Sequence, residues 1–194
     1  MKNLKGYIIV LLLSSSIISS AQVSNFTLLN AVDNQQVSLD SYSSKKAVVI
    51  IFTSNYCPYS KLYEQRIQDL YQEFKEKGVQ ILLINPNNPS SSKSESIEEM
   101  HSKAKSSGFG FPYLADKDQT VCSSFNATKT PHAFVLIPKG GQFQIVYNGA
   151  IDDNPQVDSD VSRQYLKEAL ESVLNGRKPA TAKTSPTGCI IKRG

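Results

Sequence analysis

Continuous apolar runs alternate along this chain with segments whose apolar residues recur at helical spacing. The run Ala47–Phe52 is short, unbroken and rich in β-branched residues, which is typical of a strand buried on both faces. Residues 58 to about 77 carry one apolar stripe at helical spacing, and Gly78 ends that helix. Residues 79–84 repeat the strand pattern. This succession indicates parallel strands joined by a crossover helix.

The remainder of the chain continues this mixed pattern. Gly140 and Gly141 separate two β-like runs, which predicts an antiparallel pair late in the fold. The other predicted elements are a hairpin at residues 26–29 and 36–39, a helix over 95–107, an extended piece at 111–114, a brief helix over 119–125, strands at 132–137 and 142–148, and a last helix from Asp158 to Asn175. The sequence therefore predicts an α/β fold with a central mixed sheet flanked by helices.

Both ends of the chain differ from this body. Lys2 and Lys5 precede an apolar run, and small residues end at Ala21, as in a cleaved signal peptide. The apolar stretch is too short and too rich in serine to span a bilayer well, so we expect export to the periplasm or medium without stable membrane insertion. Residues 22–176 are then one domain. Residues 177–194, rich in Pro, Thr, Ala and Lys, form an extended C-terminal tail.

Charge and composition exclude several classes of function. The chain carries a net charge of +4, but the excess of basic residues lies at its two ends. The body therefore lacks the excess of basic residues that a nucleic-acid-binding surface requires. The two histidines and three scattered cysteines lack the spacing of metal ligands, so no metal or other cofactor is expected. In an oxidising compartment, an odd number of cysteines leaves one thiol over, or lets pairs alternate.

Cys57 is the residue best placed for chemistry. It follows a predicted buried strand and precedes Pro58, which is favoured in the first turn of a helix. A cysteine at a helix N-terminus lies at the positive end of the helix dipole, which favours its thiolate. The thiolate is the reactive form in disulfide exchange and in peroxide reduction.

Five stretches carry a resemblance to a known family. They are Cys57-Pro58-Tyr59, Ile84-Asn85-Pro86-Asn87, Thr130-Pro131, Gly149-Ala150-Ile151-Asp152-Asp153-Asn154-Pro155 and Gly188-Cys189-Ile190-Ile191-Lys192. Thr130-Pro131 resembles the cis-proline segment of thioredoxin-like proteins. The other four stretches resemble the redoxin-domain branch of the thioredoxin-like and peroxiredoxin-like superfamily, which includes alkyl hydroperoxide reductase and thiol-specific antioxidant proteins. The resemblance implies a thioredoxin-like fold, Cys57 as the nucleophile, and a cis-proline at Pro131 that shapes substrate access. It also implies a thioredoxin-type electron donor or a protein disulfide substrate as partner.

The motif departs from the family pattern at several positions. Ser60 stands where a dithiol oxidoreductase has its second cysteine, and Ser54 stands where some relatives carry another. A peroxiredoxin has Thr or Ser three residues before its reactive cysteine, which Ser54 matches. It also has an upstream proline, whose place Ile50 takes, and a nearby arginine, which Arg66 or Arg163 could supply. The resolving thiol must therefore come from elsewhere in the chain or from a partner.

Two cysteines remain as candidates for that role. Extended at about 3.3 Å per residue, the tail is long enough to bring Cys189 to Cys57, and Ile190 and Ile191 favour docking in a groove. The alternative is a disordered tail with a spare thiol. Cys122 lies in an apolar setting that favours core packing over a role as second resolver.

The residues thus indicate an exported thiol redox protein acting on a protein disulfide or a peroxide. The alternative is a redox-inactive binding module of the same fold, in which Ser60 marks lost catalysis. His132 could tune the Cys57 thiolate or bond elsewhere in its strand, and His101 is expected to be solvated. Asp152 and Asp153 are expected to make a turn rather than a catalytic pair, and Asn25-Phe26-Thr27 matches a glycosylation pattern only weakly.

Overall fold

The computed structural model describes residues 22–90 and 92–192. The predicted signal peptide lies outside them. The strands are β1 (Gln22–Val23), β2 (Thr27–Asn30), β3 (Gln36–Ser38), β4 (Ala47–Phe52), β5 (Val79–Asn85), β6 (Tyr113–Ala115), β7 (Lys129–Thr130), β8 (His132–Lys139), β9 (Gln142–Gly149) and β10 (Cys189–Ile190). The α-helices are α1 (Pro58–Phe74), α2 (Ile97–Ser107), α3 (Thr120–Ser124) and α4 (Tyr165–Leu174).

Eight strands form one mixed sheet in the order β1-β9-β8-β4-β5-β6-β2-β3. The pairs β4–β5 and β5–β6 are parallel, and the other neighbours are antiparallel. β7 and β10 form a separate two-stranded sheet. The predicted α/β class with a central mixed sheet is confirmed.

The pleat of β4 divides the core into two layers. Val49 and Ile51 point to the layer that holds the apolar faces of α1, α2 and α4. Val48, Ile50 and Phe52 point to the opposite layer, which contains α3 and part of the tail. Since all six side chains of β4 are buried, its unbroken apolar sequence follows from burial on both faces.

The last helix begins later than the spacing of apolar residues predicts. Residues Asp158–Asp160 form a 3-10 turn, and α4 starts at Tyr165. The intervening chain is extended because it bonds to the preceding loop: the Asp153 amide donates to the Arg163 carbonyl at 3.1 Å, and the Ser162 amide donates to the Asp153 carboxylate at 3.0 Å. The prediction of a helix from Asp158 was wrong for these residues.

The tail lies along the body although residues 177–187 form no regular element. The Asn148 amide donates to the Ala182 carbonyl, and the Thr184 amide donates to the Asn148 carbonyl, both at 3.0 Å. The Thr184 hydroxyl oxygen accepts from the Ala150 amide at 2.8 Å and lies 2.7 Å from the Tyr147 hydroxyl. These bonds hold the middle of the tail against β9 and direct its end toward β7.

Replacement of Gly149 by alanine should detach this part of the tail. A Cβ there would lie 2.8 Å from the Thr184 amide nitrogen, at a φ of +149°. We expect a loss of about 3 kcal/mol or more in the free energy of unfolding in urea. We also expect faster tryptic cleavage at Lys183 in the folded protein.

Gly141→Ala is the matched control for this variant. Gly141 also has a positive φ, +78°, but a Cβ there would meet open space. Its cost should be only the left-handed backbone penalty of about 1–2 kcal/mol, with cleavage at Lys183 unchanged. Equal costs and equal cleavage rates for the two variants would show that Gly149 is not needed for tail packing.

Candidate redox site

Cys57 lies in the loop between β4 and α1, at the edge where the parallel strands β4 and β5 end. It is the N-cap residue of α1, with Pro58 in the first turn, and its carbonyl accepts from the Lys61 amide at 3.2 Å. Because Cys57 is the N-cap residue, the first turn of α1 directs its unpaired amides and the positive end of its dipole toward it. Cys57 is also buried, with only 1% of the residue exposed.

The segment before β8 closes the site from the other side. The Thr130-Pro131 peptide bond is cis. The Cys57 sulfur lies 3.1 Å from the Thr130 carbonyl oxygen. Because β8 pairs with β4 so that His132 lies opposite Phe52, Pro131 is held at the same edge of the sheet as Cys57.

Cys57 is joined to Cys189 in a disulfide that links residues 132 positions apart. The Cα atoms of the two residues are 5.9 Å apart. Of the two alternatives for the tail, the structure has the docked one, in which the tail brings its cysteine to the N-terminus of α1.

The tail around Cys189 is held by both backbone and side-chain contacts. β10 pairs antiparallel with β7, so that Cys189 lies opposite Thr130, and the Ile191 amide donates to the Thr128 carbonyl at 3.0 Å. Ile191 is 3% exposed and packs in the same layer of the core as α3. The Lys192 carbonyl accepts from the Gln119 side chain at 2.6 Å.

A buried carboxylate, Glu95, organises the loop that carries Cys57. Glu95 is 3% exposed and lies in a 3-10 turn (Lys93–Glu95) ahead of α2. One of its oxygens accepts from the Ser54 hydroxyl at 2.6 Å and the Tyr56 amide at 3.1 Å. The other accepts from the Asn55 amide at 3.1 Å and the Asn85 side chain at 2.7 Å. Four donors thus converge on this one carboxylate.

The helical spacing of apolar residues predicts that α2 begins at Glu95, and it indicates no further role for this residue. The helix instead begins at Ile97, because the Ser96 hydroxyl caps it by accepting from the Glu99 amide at 3.3 Å. This leaves Glu95 in the preceding turn, where it faces the end of β4. Ser96 stands three residues ahead of Glu99, which is the spacing of a capping box, and this signal could have separated Glu95 from the helix.

The two serines of the motif occupy different environments. The Ser54 hydroxyl donates to Glu95 and accepts from the Cys57 amide at 3.1 Å and the Tyr56 amide at 3.2 Å, so it links the carboxylate to the start of α1. Ser60 is buried, and its hydroxyl has no hydrogen-bond partner among the described residues.

The two arginines considered for a peroxidatic role pair with acids elsewhere. Arg66 contacts Asp152 at 2.7 Å and Asp158 at 2.9 Å, and Arg163 contacts Glu168 at 2.7 Å. Asp152 also accepts from the Tyr63 hydroxyl at 2.6 Å. Asp152 therefore fastens the loop after β9 to α1.

His132 is buried beside the ring of Phe134, with 4.4 Å between ring centroids. Neither of its ring nitrogens has a hydrogen-bond partner among the described residues. Burial, with a smaller contribution from Lys183, lowers the pKa of His132 to about 4. His132 is therefore neutral near pH 7 and packs as an apolar ring.

The remaining candidates lie apart from the disulfide. Cys122 is fully buried in α3, with its sulfur 3.7 Å from the Ala127 carbonyl. His101 is exposed, as expected, and its Nδ1 lies 2.8 Å from the Ala31 carbonyl oxygen. Asp153 accepts from the Ser162 amide in a loop, as a turn residue would.

A cavity of about 580 Å³ opens beside the disulfide. Both cysteines line it, together with Tyr56, Glu95 and Lys192. Tyr56 and Ile190 are 67% and 78% exposed at its rim. The cavity therefore gives molecules in solution a route to the buried sulfur of Cys57.

The AhpC/TSA family model matches residues 20–152, more than half of the 194 residues. The chain belongs to the AhpC/TSA family. This confirms the resemblance to redoxin-domain proteins. The match includes Cys57 and the Thr130-Pro131 segment but ends before the tail.

Three other proteins are similar to this AhpC/TSA family member in sequence or in structure. Thiol-disulfide oxidoreductase ResA of Halalkalibacterium halodurans is 26% identical over 132 residues, which cover 68% of this chain and 69% of that protein. The structure of a hypothetical protein from Sinorhizobium meliloti 1021 is 28% identical with a TM-score of 0.83, and the match covers 93% of this chain and 97% of that one. A putative thiol:disulfide interchange protein DsbE of Chlorobium tepidum has a TM-score of 0.59 at 16% identity over 83% of this chain and 98% of that one. At that identity the likeness to DsbE shows the fold alone, which is thioredoxin-like.

Residues 22–90 and 92–192 contain no group of three or more His, Cys, Asp or Glu side chains arranged to hold a metal ion. Within the same residues, no helix combines the length and apolar character needed to cross a bilayer.

Replacement of Glu95 by glutamine should loosen the loop around Cys57. The amide nitrogen of glutamine cannot accept hydrogen bonds, so at least one buried donor loses its acceptor, at a cost of about 1–3 kcal/mol in the free energy of unfolding. We also expect faster amide hydrogen exchange at Asn55 and Tyr56 in the folded protein.

Glu99→Gln, at an exposed position on α2, is the matched control. It should change the free energy of unfolding by less than about 0.5 kcal/mol and leave exchange in the loop unaltered. Unchanged exchange at Asn55 and Tyr56 in Glu95→Gln would contradict the organising role of this carboxylate.

Proposed function

We propose that this protein is an exported thiol-disulfide oxidoreductase that exchanges disulfides with cysteine-containing proteins. Cys57 is the attacking thiol and Cys189 the resolving thiol. The observation that carries the proposal is the Cys57–Cys189 disulfide at the N-terminus of α1, beside Thr130-Pro131. The similarity to ResA, whose name is that of a thiol-disulfide oxidoreductase, supports the same reaction class.

The reaction proceeds through a mixed disulfide. In the reduced protein, the Cys57 thiolate attacks one sulfur of a partner disulfide, and the partner's other sulfur leaves as a thiolate. The Cys189 thiolate then attacks Cys57, which releases the partner's second thiolate and closes the Cys57–Cys189 bond. The partner gains two electrons and two protons, and the two cysteines lose them. The same steps in reverse oxidise a partner dithiol.

The other site residues support this exchange in different ways. Ser54 holds the amides of Tyr56 and Cys57 through its hydroxyl, and Pro131 shapes the approach to the sulfur. Ser60 cannot form a disulfide, which leaves the resolving step to the tail. A thioredoxin-type donor or a protein disulfide is the partner, since Arg66 and Arg163 pair with acids rather than serving a peroxide at Cys57.

Export is part of the proposal because a disulfide persists in an oxidising compartment. Residues 1–21 supply the signal, with Lys2 and Lys5 before the apolar run and cleavage near Ala21. The domain then comprises residues 22–176, and residues 177–194 form the tail that carries Cys189.

Cys189→Ser should stop the reaction at the mixed disulfide. When the reduced protein is mixed with glutathione disulfide, the wild type should release two glutathione molecules per chain and form the Cys57–Cys189 bond. Cys189→Ser should release one and retain the other on Cys57, as intact mass and peptide mapping would show. Without its resolving thiol, turnover should fall by about tenfold or more.

Cys57→Ser and Cys122→Ala are the controls for this assay. Cys57→Ser should form no disulfide within the chain, and any glutathione that it retains should map to the freed Cys189. Cys122→Ala should behave like the wild type because Cys122 is buried in α3. If Cys189→Ser still releases two glutathione molecules and forms a bond between Cys57 and Cys122, then the tail is not the resolver.

The helix position of Cys57 predicts an acidic thiol in the reduced protein. The rate of iodoacetamide labelling of Cys57 against pH should have its midpoint below the free-cysteine value of about 8.5. Cys189, which lies on an extended tail with no helix beginning there, should label with a midpoint near that value. A Cys57 midpoint at or above about 8.5 would favour the redox-inactive alternative.

A further inference from the structure

We propose that the groove occupied by residues 188–192 is also the binding site for the partner, and that it selects an extended Gly-Cys-X-apolar segment. X stands for any residue. The inference rests on the proposed function, because the partner must form a mixed disulfide with Cys57. The tail then occupies the partner's place in the resting, oxidised protein.

The backbone of the groove can hold any extended chain in the same register. Cys189 lies opposite Thr130 and Ile190 opposite Lys129, in antiparallel pairing. The Ile191 amide donates to the Thr128 carbonyl at 3.0 Å. These contacts use main-chain atoms alone, so a partner strand carrying a cysteine opposite Thr130 can reproduce them.

Two positions of the bound segment are restricted by their surroundings. A Cβ on Gly188 would lie 2.7 Å from the Thr130 carbonyl carbon and 3.1 Å from the Pro131 nitrogen. Since both are backbone atoms next to Cys57, a larger residue there displaces the segment. Ile191, two residues after the cysteine, is 3% exposed within the core layer of α3.

The position between Cys189 and Ile191 is unrestricted. Ile190 points away from the groove and is 78% exposed. Successive side chains of a strand point to opposite sides, so Cys189 and Ile191 face the groove and Ile190 does not. The residue before the cysteine is restricted separately, by the backbone of Thr130 and Pro131. Together these restrictions give the Gly-Cys-X-apolar pattern.

When a partner replaces the tail, one disulfide at Cys57 breaks and another forms. A partner thiolate that enters through the cavity beside the disulfide attacks Cys57. The Cys57–Cys189 bond breaks, and Cys189 leaves as a thiolate that takes up a proton from water. A new bond joins Cys57 to the partner sulfur, with no net oxidation. The tail, no longer held by the disulfide, leaves the groove to the partner segment.

Synthetic peptides can test this recognition on the full-length chain. In a Cys122→Ala, Cys189→Ser variant, Cys57 is the sole thiol. Its reduced form is mixed with the peptide Thr-Gly-Cys-Ile-Ile-Lys, activated as a mixed disulfide with thionitrobenzoate. Attack by the Cys57 thiolate joins the peptide to Cys57 and releases thionitrobenzoate, whose absorbance gives the second-order rate constant. The variant's own tail competes equally with every peptide. The ratio of an altered peptide's rate constant to that of the parent peptide therefore reports how well the groove recognises the altered residue.

Three altered peptides, numbered as in the chain, separate recognition from simple thiol reactivity. Gly188→Ala and Ile191→Ser should each react at least about tenfold more slowly, because the first clashes with the Thr130 backbone and the second loses apolar burial. Ile190→Ser is the matched control and should react within about twofold of the parent peptide.

The outcomes distinguish this inference from the proposed function. If all four peptides react at the same rate, or if Ile190→Ser slows as much as Ile191→Ser, groove recognition is wrong while Cys57 remains a redox thiol. If no peptide joins Cys57, the proposed function fails and the inference fails with it. Should Cys122→Ala impair folding, the Cys189→Ser variant alone gives the same comparison, with the labelled cysteine identified by mass spectrometry.

Discussion

The pairing of β4 with its two neighbours, β5 and β8, determines where the chemistry of this protein lies. Because β4 and β5 are parallel, their carboxyl ends meet at one edge of the sheet, and the loops that follow them bring Cys57 and Glu95 together. Because β8 runs antiparallel to β4, its start brings Pro131 to the same edge. Cys57, the carboxylate that orders its loop and the cis peptide are thus neighbours through strand direction alone, although they are distant in sequence.

The local parts of this arrangement could be predicted from the sequence. The unbroken apolar run of β4 and the Cys57-Pro58 junction are signals contained within a few residues, and both elements lie where those signals place them. The start of α4 was misplaced because Asp153 ties residues 162 and 163 into its loop, a contact that helical spacing does not reveal. Local pattern is sufficient where an element's own residues determine its conformation.

The remaining parts depend on contacts between distant segments. Glu95 is important because Ser54, Asn55, Tyr56 and Asn85 all donate to it, and in the sequence it is one of several acidic residues beside serines. The tail presents the same difficulty. Its composition is that of a linker, and its position is set by Thr184 against β9 and Ile191 in the core. Only the three-dimensional structure shows which polar and apolar residues of such segments become buried.

The span of the disulfide has a mechanical consequence. Residues 57 and 189 enclose most of the described chain, including all four helices. If the oxidised protein is pulled from its two ends, the load passes from β4 through the sulfur–sulfur bond directly into the tail, and the enclosed segment bears no tension. β1 to β4 can be extracted, whereas α1 to α4 stay shielded. Reduction of this one bond would open the enclosed segment and increase the length to which the chain can be extended.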